Sequence, residues 1–197
     1  MVQAATDALD VPSSFGPDPD SVIVVRTAPD SGRGRDIFLL SMSGAYAPRA
    51  LVATRAYEGG SQLSPDGRWL AHVSNESGRF EVLVRRFAGL DRQWPVSEGG
   101  GTQPRWSTSG REIYYRGGAM LMAVSFEGSA SEPSMGKPRA LFRDEYDRGQ
   151  GLTIANYDVT PDGRFLMLRR EAHGGHLRIV LNWTEELKGI LAKGANP

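Results

Sequence analysis

Cysteine is absent from this 197-residue sequence. Its absence excludes disulfide bonds, thiolate metal ligands and cysteine nucleophiles. A surplus of charge of either sign is missing too, because 23 Lys and Arg residues balance 23 Asp and Glu residues. A protein that binds nucleic acid or an anionic membrane usually carries a broad positive field, so we expect neither partner.

Long hydrophobic runs are also lacking. The apolar run at residues 22–25 is far too short to cross a bilayer, and residues 1–7 have neither the basic start nor the apolar stretch of a secretory signal. We therefore expect a chain made in the cytoplasm without a membrane segment, while an extracytoplasmic parent domain stays open. With 40% hydrophobic and 23% charged residues, the composition is that of an ordinary globular protein.

A short turn motif organises the central part of the chain. In the pentapeptide SPDGR at residues 64–68, Pro fixes φ at the first corner, Asp can close an Asx turn and Gly accepts a positive φ. Apolar residues alternate with polar ones on both sides of the following turn at residues 75–79. The pattern predicts strands at residues 70–74 and 80–87, joined as a hairpin.

Related pentapeptides recur as STSGR at residues 107–111 and TPDGR at residues 160–164. Their glycines, Gly67, Gly110 and Gly163, are separated by 43 and 53 residues, and the longer interval contains a polar loop. A period of this size with four strands in each unit is typical of β-propeller blades. An antiparallel sandwich is the alternative.

We therefore predict an all-β fold, a β-propeller of four-stranded antiparallel blades with about 3.5–4 blades per chain. The predicted order is an N-terminal arm or exchanged strand at 1–20, blades at 21–58, 61–97, 102–142 and 154–183, and a short helix and tail at 184–197. Only three strands are predicted for the first and the last blade. Because a closed propeller needs at least about four complete blades, we expect a homodimer that closes one ring.

Two of these stretches resemble a known family. SPDGRWLAHVS at residues 64–74 and TPDGRFL at residues 160–166 resemble the propeller repeat of TolB and of the tricorn protease. The segment IVLNWTEELK at residues 179–188 is similar to the end of propellers that follow the kinase domain in bacterial serine/threonine protein kinases. The resemblance implies a non-catalytic scaffold that binds a protein or small-molecule ligand. The kinase catalytic motifs themselves are absent, so phosphoryl transfer is not expected.

The sequence also contains a candidate metal site. His173 and His176 flank a Gly-Gly turn and would supply half of a zinc site, with Asp144, Glu145 or Asp147 of the preceding loop as a third ligand. The same acidic loop could hold calcium in the central channel. Either metal would make the chain a metal-dependent hydrolase of the lactonase, phosphotriesterase or esterase type, with its site at the channel mouth. A solvated hairpin without metal is the alternative, so the sequence leaves open whether the chain is an enzyme.

His72 lies in the middle of a predicted strand. It is a candidate catalytic base if it faces the channel, and a buried, hydrogen-bonded core residue if it does not. The tryptophans fall near equivalent positions of different repeats, which predicts packing between blades: Trp69, Trp94, Trp106 and Trp183.

Overall fold

The computed structural model describes residues 8–27, 34–43, 47–89, 92–128, 132–149, 151 and 154–169. Within these residues all regular secondary structure is β, and the strands form antiparallel meanders. No helix long and apolar enough to cross a bilayer occurs in this part of the chain.

The strands divide into four sheets, which we number as blades 1 to 4. Blade 1 contains β1 (Leu9–Phe15), β2 (Ser21–Thr27), β3 (Arg35–Ser41) and β4 (Arg49–Val52). Blade 2 contains β5 (Glu58–Leu63), β6 (Trp69–Ser74), β7 (Glu81–Arg86) and β8 (Gln93–Pro95). Blade 3 contains β9 (Thr102–Trp106), β10 (Glu112–Gly117), β11 (Met120–Glu127), β12 (Ser134–Met135) and β13 (Arg139–Arg143). The described part of blade 4 contains β14 (Tyr157–Val159) and β15 (Phe165–Met167).

The first strands of the blades lie side by side. β5 contacts both β1 and β9, and β9 contacts β14. These four strands are therefore the inner strands around a common axis, and the later strands of each sheet lie towards the rim. This arrangement confirms the predicted all-β propeller of four-stranded blades.

The same corner turn joins the first two strands in blades 2, 3 and 4. Gly67, Gly110 and Gly163 have φ angles of 71°, 69° and 80°, a region that favours glycine. The amide of Gly67 donates to the carbonyl of Ser64 at 2.8 Å, and Asp66 Oδ1 accepts a hydrogen bond from the amide of Arg68 at 3.1 Å. The repeated pentapeptide therefore marks the same position in successive blades.

The start of the chain differs from the sequence-based boundaries. The sequence leaves residues 1–20 as an arm or an exchanged strand, whereas in the structure Leu9–Phe15 is β1, which pairs with β2 of the same chain from Leu9↔Thr27 to Phe15↔Val22. Blade 1 consequently has four strands instead of three. The strand escapes pattern recognition because Pro12 and its neighbouring serines interrupt the apolar alternation, and the register shifts between Pro12 and Ser14.

Blade 2 begins earlier than expected for a related reason. Residues 58–60 look like a glycine-rich separator, yet they form the start of β5. The register of β5 against β6 shifts between Gly59 and Gln62, and Gly60 has a φ of 58°. The glycines therefore form a bulge within an inner strand. The strand predicted at residues 177–182 and the helix predicted at 184–197 lie outside the described residues.

Packing between the blades forms the core. Successive residues of β6 point towards different neighbouring blades. Leu70 belongs to a first apolar cluster, between blades 1 and 2, and Trp69 belongs to a second cluster, between blades 2 and 3. In the second cluster the ring of Phe126 lies 4.8 Å from Trp106 and 5.3 Å from Trp69, in edge-to-face contacts. Trp94 packs on Trp69 at 5.8 Å. Trp69 and Trp106 have the predicted role between blades, whereas Trp94 contacts Trp69 of its own blade. Trp183 lies outside the described residues.

We predict that Leu70→Ala lowers the free energy of unfolding by about 2–5 kcal/mol, because it opens a cavity between blades 1 and 2. Leu70 is 0% exposed, whereas Leu9 is 64% exposed. Leu9→Ala is therefore the matched control and should change stability by less than about 0.5 kcal/mol. Chemical denaturation of both variants measures the difference, and equal effects would contradict the interblade role of Leu70.

Candidate functional site

The inner strands of all four blades line one cleft, which we call the axial cleft. It lies where β1 and β5 end, and its walls include Ser14, Phe15, Gln62, Pro65, Arg105 and Asp158. Its volume is about 680 Å³, a size typical of ligand-binding pockets. A narrower space of about 110 Å³ continues along the axis and shares Gln62 and Arg105 with the cleft.

Side chains connect the inner strands that form the cleft wall. Gln62 Nε2 donates to the carbonyl of Ser13 at 2.5 Å, and the amide of Leu63 donates to Ser14 Oγ at 3.2 Å. Trp106 Nε1 donates to the carbonyl of Gln62 at 3.1 Å. These hydrogen bonds join β1, β5 and β9, so the cleft is held in shape before any ligand arrives.

The cleft combines an exposed aromatic ring with a fixed guanidinium group. Phe15 is 77% exposed although it is a large apolar residue. Arg105 Nε donates to the carbonyl of Tyr157 at 3.2 Å and lies 3.7 Å from Asp158 Oδ1. Among the described residues, none accepts a hydrogen bond from the two terminal nitrogens of Arg105. The cleft therefore offers an apolar contact and a two-pronged donor for an anionic group.

His72 lies inside blade 2 and is 0% exposed. Its Nε2 accepts a hydrogen bond from Arg85 Nε at 3.2 Å, so the ring proton is on Nδ1, which lies 3.3 Å from Glu58 Oε2. This is the geometry of a buried, hydrogen-bonded core histidine, and it leaves no ring nitrogen facing the axial cleft.

Glu58 is the buried carboxylate of this network. Its Oε1 accepts hydrogen bonds from Thr54 Oγ1 at 2.7 Å and from Ser74 Oγ at 3.1 Å. Burial alone raises the pKa of Glu58, but the interactions with His72, Thr54 and Ser74 outweigh it and hold the pKa below 4.5. The ionised carboxylate connects β5, β6 and the segment that arrives from blade 1.

The acidic loop after β13 does not assemble a metal site within the described residues. The side chain of Asp144 is buried, and its Oδ2 lies 3.4 Å from Arg116 Nε and 3.0 Å from an Nη of Arg148. Glu145 lies beside Arg143 at the surface. No group of three His, Asp or Glu side chains suited to a metal is found in the described part of the chain.

Asp147 uses Oδ1 to accept a hydrogen bond from the amide of Gly149 at 2.8 Å. His173 and His176 lie outside the described residues. A zinc or calcium site built from these histidines and the acidic loop therefore stays a prediction.

Sequence reasoning missed the two residues that give the axial cleft its chemistry. Phe15 was not found, because the sequence leaves residues 1–20 open between an arm and an exchanged strand, without a register or a partner strand in this chain. Arg105 could have been found: it precedes Trp106 on a predicted inner strand, and since Trp106 faces a neighbouring blade, alternation points Arg105 the other way.

Comparison with known proteins bears on the fold. No protein-family model matches the sequence, and no curated protein matches it. TolB from Acinetobacter baumannii aligns with 84% of this chain at 14% identity and a TM-score of 0.57. A protein from Agrobacterium tumefaciens assigned as TolB aligns with 83% of this chain at 20% identity and a TM-score of 0.58.

The fold is that of a TolB-type propeller. The likeness extends to the fold and not to a shared activity, because the identities are low. The chain spans 39% of the Acinetobacter protein and 59% of the Agrobacterium protein. It therefore aligns with only part of each of these two proteins.

We predict that Glu58→Gln lowers the free energy of unfolding by about 1–3 kcal/mol at neutral pH, because His72 loses a charged acceptor in the core. The folded-state pKa of Glu58 lies below its ordinary value of 4.5. The stability it adds is thus complete above that value and is lost as the pH falls through the lower folded-state pKa.

The wild-type protein should therefore lose more stability between about pH 5 and about pH 3 than Glu58→Gln does. Urea denaturation at a series of pH values measures this difference. Glu145→Gln, at a residue whose side chain is 77% exposed, is the control and should keep the wild-type pH dependence. Parallel pH curves for wild type and Glu58→Gln would contradict the assignment.

Proposed function

We propose that this TolB-type propeller is a non-catalytic binding scaffold whose axial cleft takes an extended peptide segment of a partner protein. The observation that carries the proposal is the pairing of exposed Phe15 with the fixed guanidinium of Arg105 in one open cleft. Such a pair suits a peptide that presents an apolar side chain next to a carboxylate.

The serines of the cleft support binding over catalysis. Ser13 Oγ donates to the carbonyl of Ile23 and is bonded to Ser61 Oγ at 2.5 Å. Ser14 Oγ accepts from the amide of Leu63 and donates to the carbonyl of Phe15. These hydroxyl groups hold the inner strands together, whereas a nucleophilic serine needs an adjacent general base. The similarity of residues 179–188 to kinase-linked propellers stays a prediction.

Selection from a phage-displayed random peptide library on the immobilised protein tests the proposal. We expect enriched peptides to carry a carboxylate beside an aromatic or aliphatic residue, and Phe15→Ala to weaken their binding about tenfold. Asp158→Asn should strengthen binding, because it removes the carboxylate nearest Arg105. Tyr146→Ala, at an exposed aromatic residue of the acidic loop, is the control.

The proposal fails if no peptide is enriched. It also fails if the enriched peptides bind Phe15→Ala and Asp158→Asn as tightly as they bind the wild-type protein. Thermal melting of each variant verifies that the fold is retained.

We also propose that a second copy of the chain packs against the outer face of blade 1 and extends the ring. Pro12, Val24, Phe38 and Ala50 lie side by side across the four strands of this blade. Pro12 and Ala50 are exposed, Phe38 is partly exposed and Val24 is buried. Arg26, paired with Asp10, lies over the Phe38 ring. This face points away from Ile37, which packs towards blade 2. In a propeller such a face is covered by the next blade, and a two-fold dimer would supply one.

Light scattering after size exclusion should give about twice the chain mass of 21.4 kDa at micromolar concentration. Ala50→Glu places a charge on the outer face and should shift the protein to the monomer. Ala88→Glu, at an exposed position after β7, should not. A wild-type monomer at all concentrations would overturn the dimer.

A further inference from the structure

A second pocket opens at the opposite end of the inner strands from the axial cleft, where β9 begins. We call it the glycine pocket. Its walls come from the β6–β7 turn, residues 99–103, the β10–β11 turn and the end of the acidic loop, and include Arg79, Arg116 and Arg148. Its volume is about 500 Å³, which suits a small molecule.

Carboxylates accompany all three arginines of this pocket. Arg79 Nε pairs with Glu81 Oε1, and the charge of Asp147 opposes the lowering of the Arg116 pKa. Asp144 is the single carboxylate shared by Arg116 and Arg148, at 3.4 Å and 3.0 Å. The side chains of Arg116 and Asp144 are fully buried, so salt screens their charges little. Burial lowers the pKa of Arg116 and the charge of Arg148 lowers it further, against the opposing effect of Asp144. An anion in the pocket would favour the charged form of Arg116.

Arg116 also has an unmet hydrogen-bonding requirement. Its Nη1 donates to the carbonyl of Asp147 at 3.1 Å, and its guanidinium lies 5.3 Å from the centre of the Tyr157 ring. Its Nη2 is buried and has no hydrogen-bond partner among the described residues. A buried charged donor without an acceptor is costly, so an acceptor at this place would stabilise the site.

Gln103 holds the loop that carries Arg148. Its Nε2 donates to the carbonyls of Arg148 at 2.8 Å and Gly151 at 3.2 Å. Gln103 has a φ of 55°, and among the described residues it is the non-glycine residue with positive φ. A backbone conformation of this kind persists only where surrounding groups hold it in place. Here the hydroxyl of Tyr157 donates a hydrogen bond to the Gln103 carbonyl at 2.9 Å. Arg148 is thus positioned in advance.

Glycines make up half of the residues that line the pocket. Gly99 and Gly118 have positive φ angles, and a Cβ at either position would meet nothing within 4 Å. A ligand can therefore approach the main chain closely at both turns.

We propose that the glycine pocket binds the phosphoryl group of a small phosphorylated molecule. The accessible donors are the nitrogens of Arg148 and Arg79 that do not face Asp144 and Glu81; these side chains are 41% and 65% exposed. Buried Arg116 provides the charge behind them. Guanidinium groups bind phosphoryl oxygens through paired hydrogen bonds, and a tetrahedral dianion can engage several donors at once. The remaining volume accommodates the rest of the molecule.

Isothermal titration of the wild-type protein with inorganic phosphate and with pyrophosphate, at an ionic strength held constant with chloride, tests this site. We expect saturable binding that Arg148→Gln weakens about tenfold, because one charged hydrogen-bonding group is lost. Arg143→Gln, at a 76% exposed arginine beside Glu145 and outside the pocket, is the matched control and should bind like the wild-type protein. Without ligand, Arg148→Gln should have the melting temperature of the wild-type protein, because Asp144 remains paired with Arg116.

Three results would overturn the proposal: no binding above that of chloride, equal affinity of Arg148→Gln and wild type, or equal affinity for citrate, which would show selection for charge and not for phosphoryl groups. Phe15→Ala should leave phosphate affinity unchanged, since Phe15 lies at the other end of the axis. The test is therefore independent of peptide binding in the axial cleft.

Discussion

Both faces of blade 2 are apolar, and covering each of them with a neighbouring blade is the constraint on which this structure depends. In β6 the side chain of Leu70 turns towards blade 1 while Trp69 and Ala71 turn towards blade 3. A sheet with this pattern cannot leave either face in water, so the blades stack in chain order. When the blades stack in this way, their first strands lie side by side around the axis. The axial cleft lies between these strands.

The polar residues buried in this arrangement have a different task. Glu58 and His72 pair within blade 2, and Arg116 and Asp144 pair at the end of blade 3. Apolar contacts are non-directional, whereas these pairs require a defined geometry. They join segments that the sheet ladders do not connect: the linker from blade 1 in one case, the acidic loop in the other. Both pairs lie at the end of the propeller axis where the inner strands begin.

Short-range chemistry explains which features were predictable from sequence. The corner turns follow from Pro, Asp and Gly within five residues, so they and the hairpins beside them were found correctly. For β1 the sequence leaves an arm and an exchanged strand as alternatives, because Pro12 and the adjacent serines interrupt the alternation of apolar residues. The chemistry of both pockets was hidden for a further reason. Phe15, Arg105 and Arg148 come from separate segments, and only the packing of blades places them.

Phe15 and Asp158 belong to the first and last of the described blades, yet they line the same cleft. Blades that pack mainly against their sequence neighbours can rotate slightly at each interface, and these small rotations accumulate from the first blade to the last. A ligand bound between Phe15 and Asp158 would contact the first and the last of these blades together, and would restrain the relative rotation of all four. Ligand binding in the axial cleft would then reduce the motion of the outer strands, which the ligand does not contact.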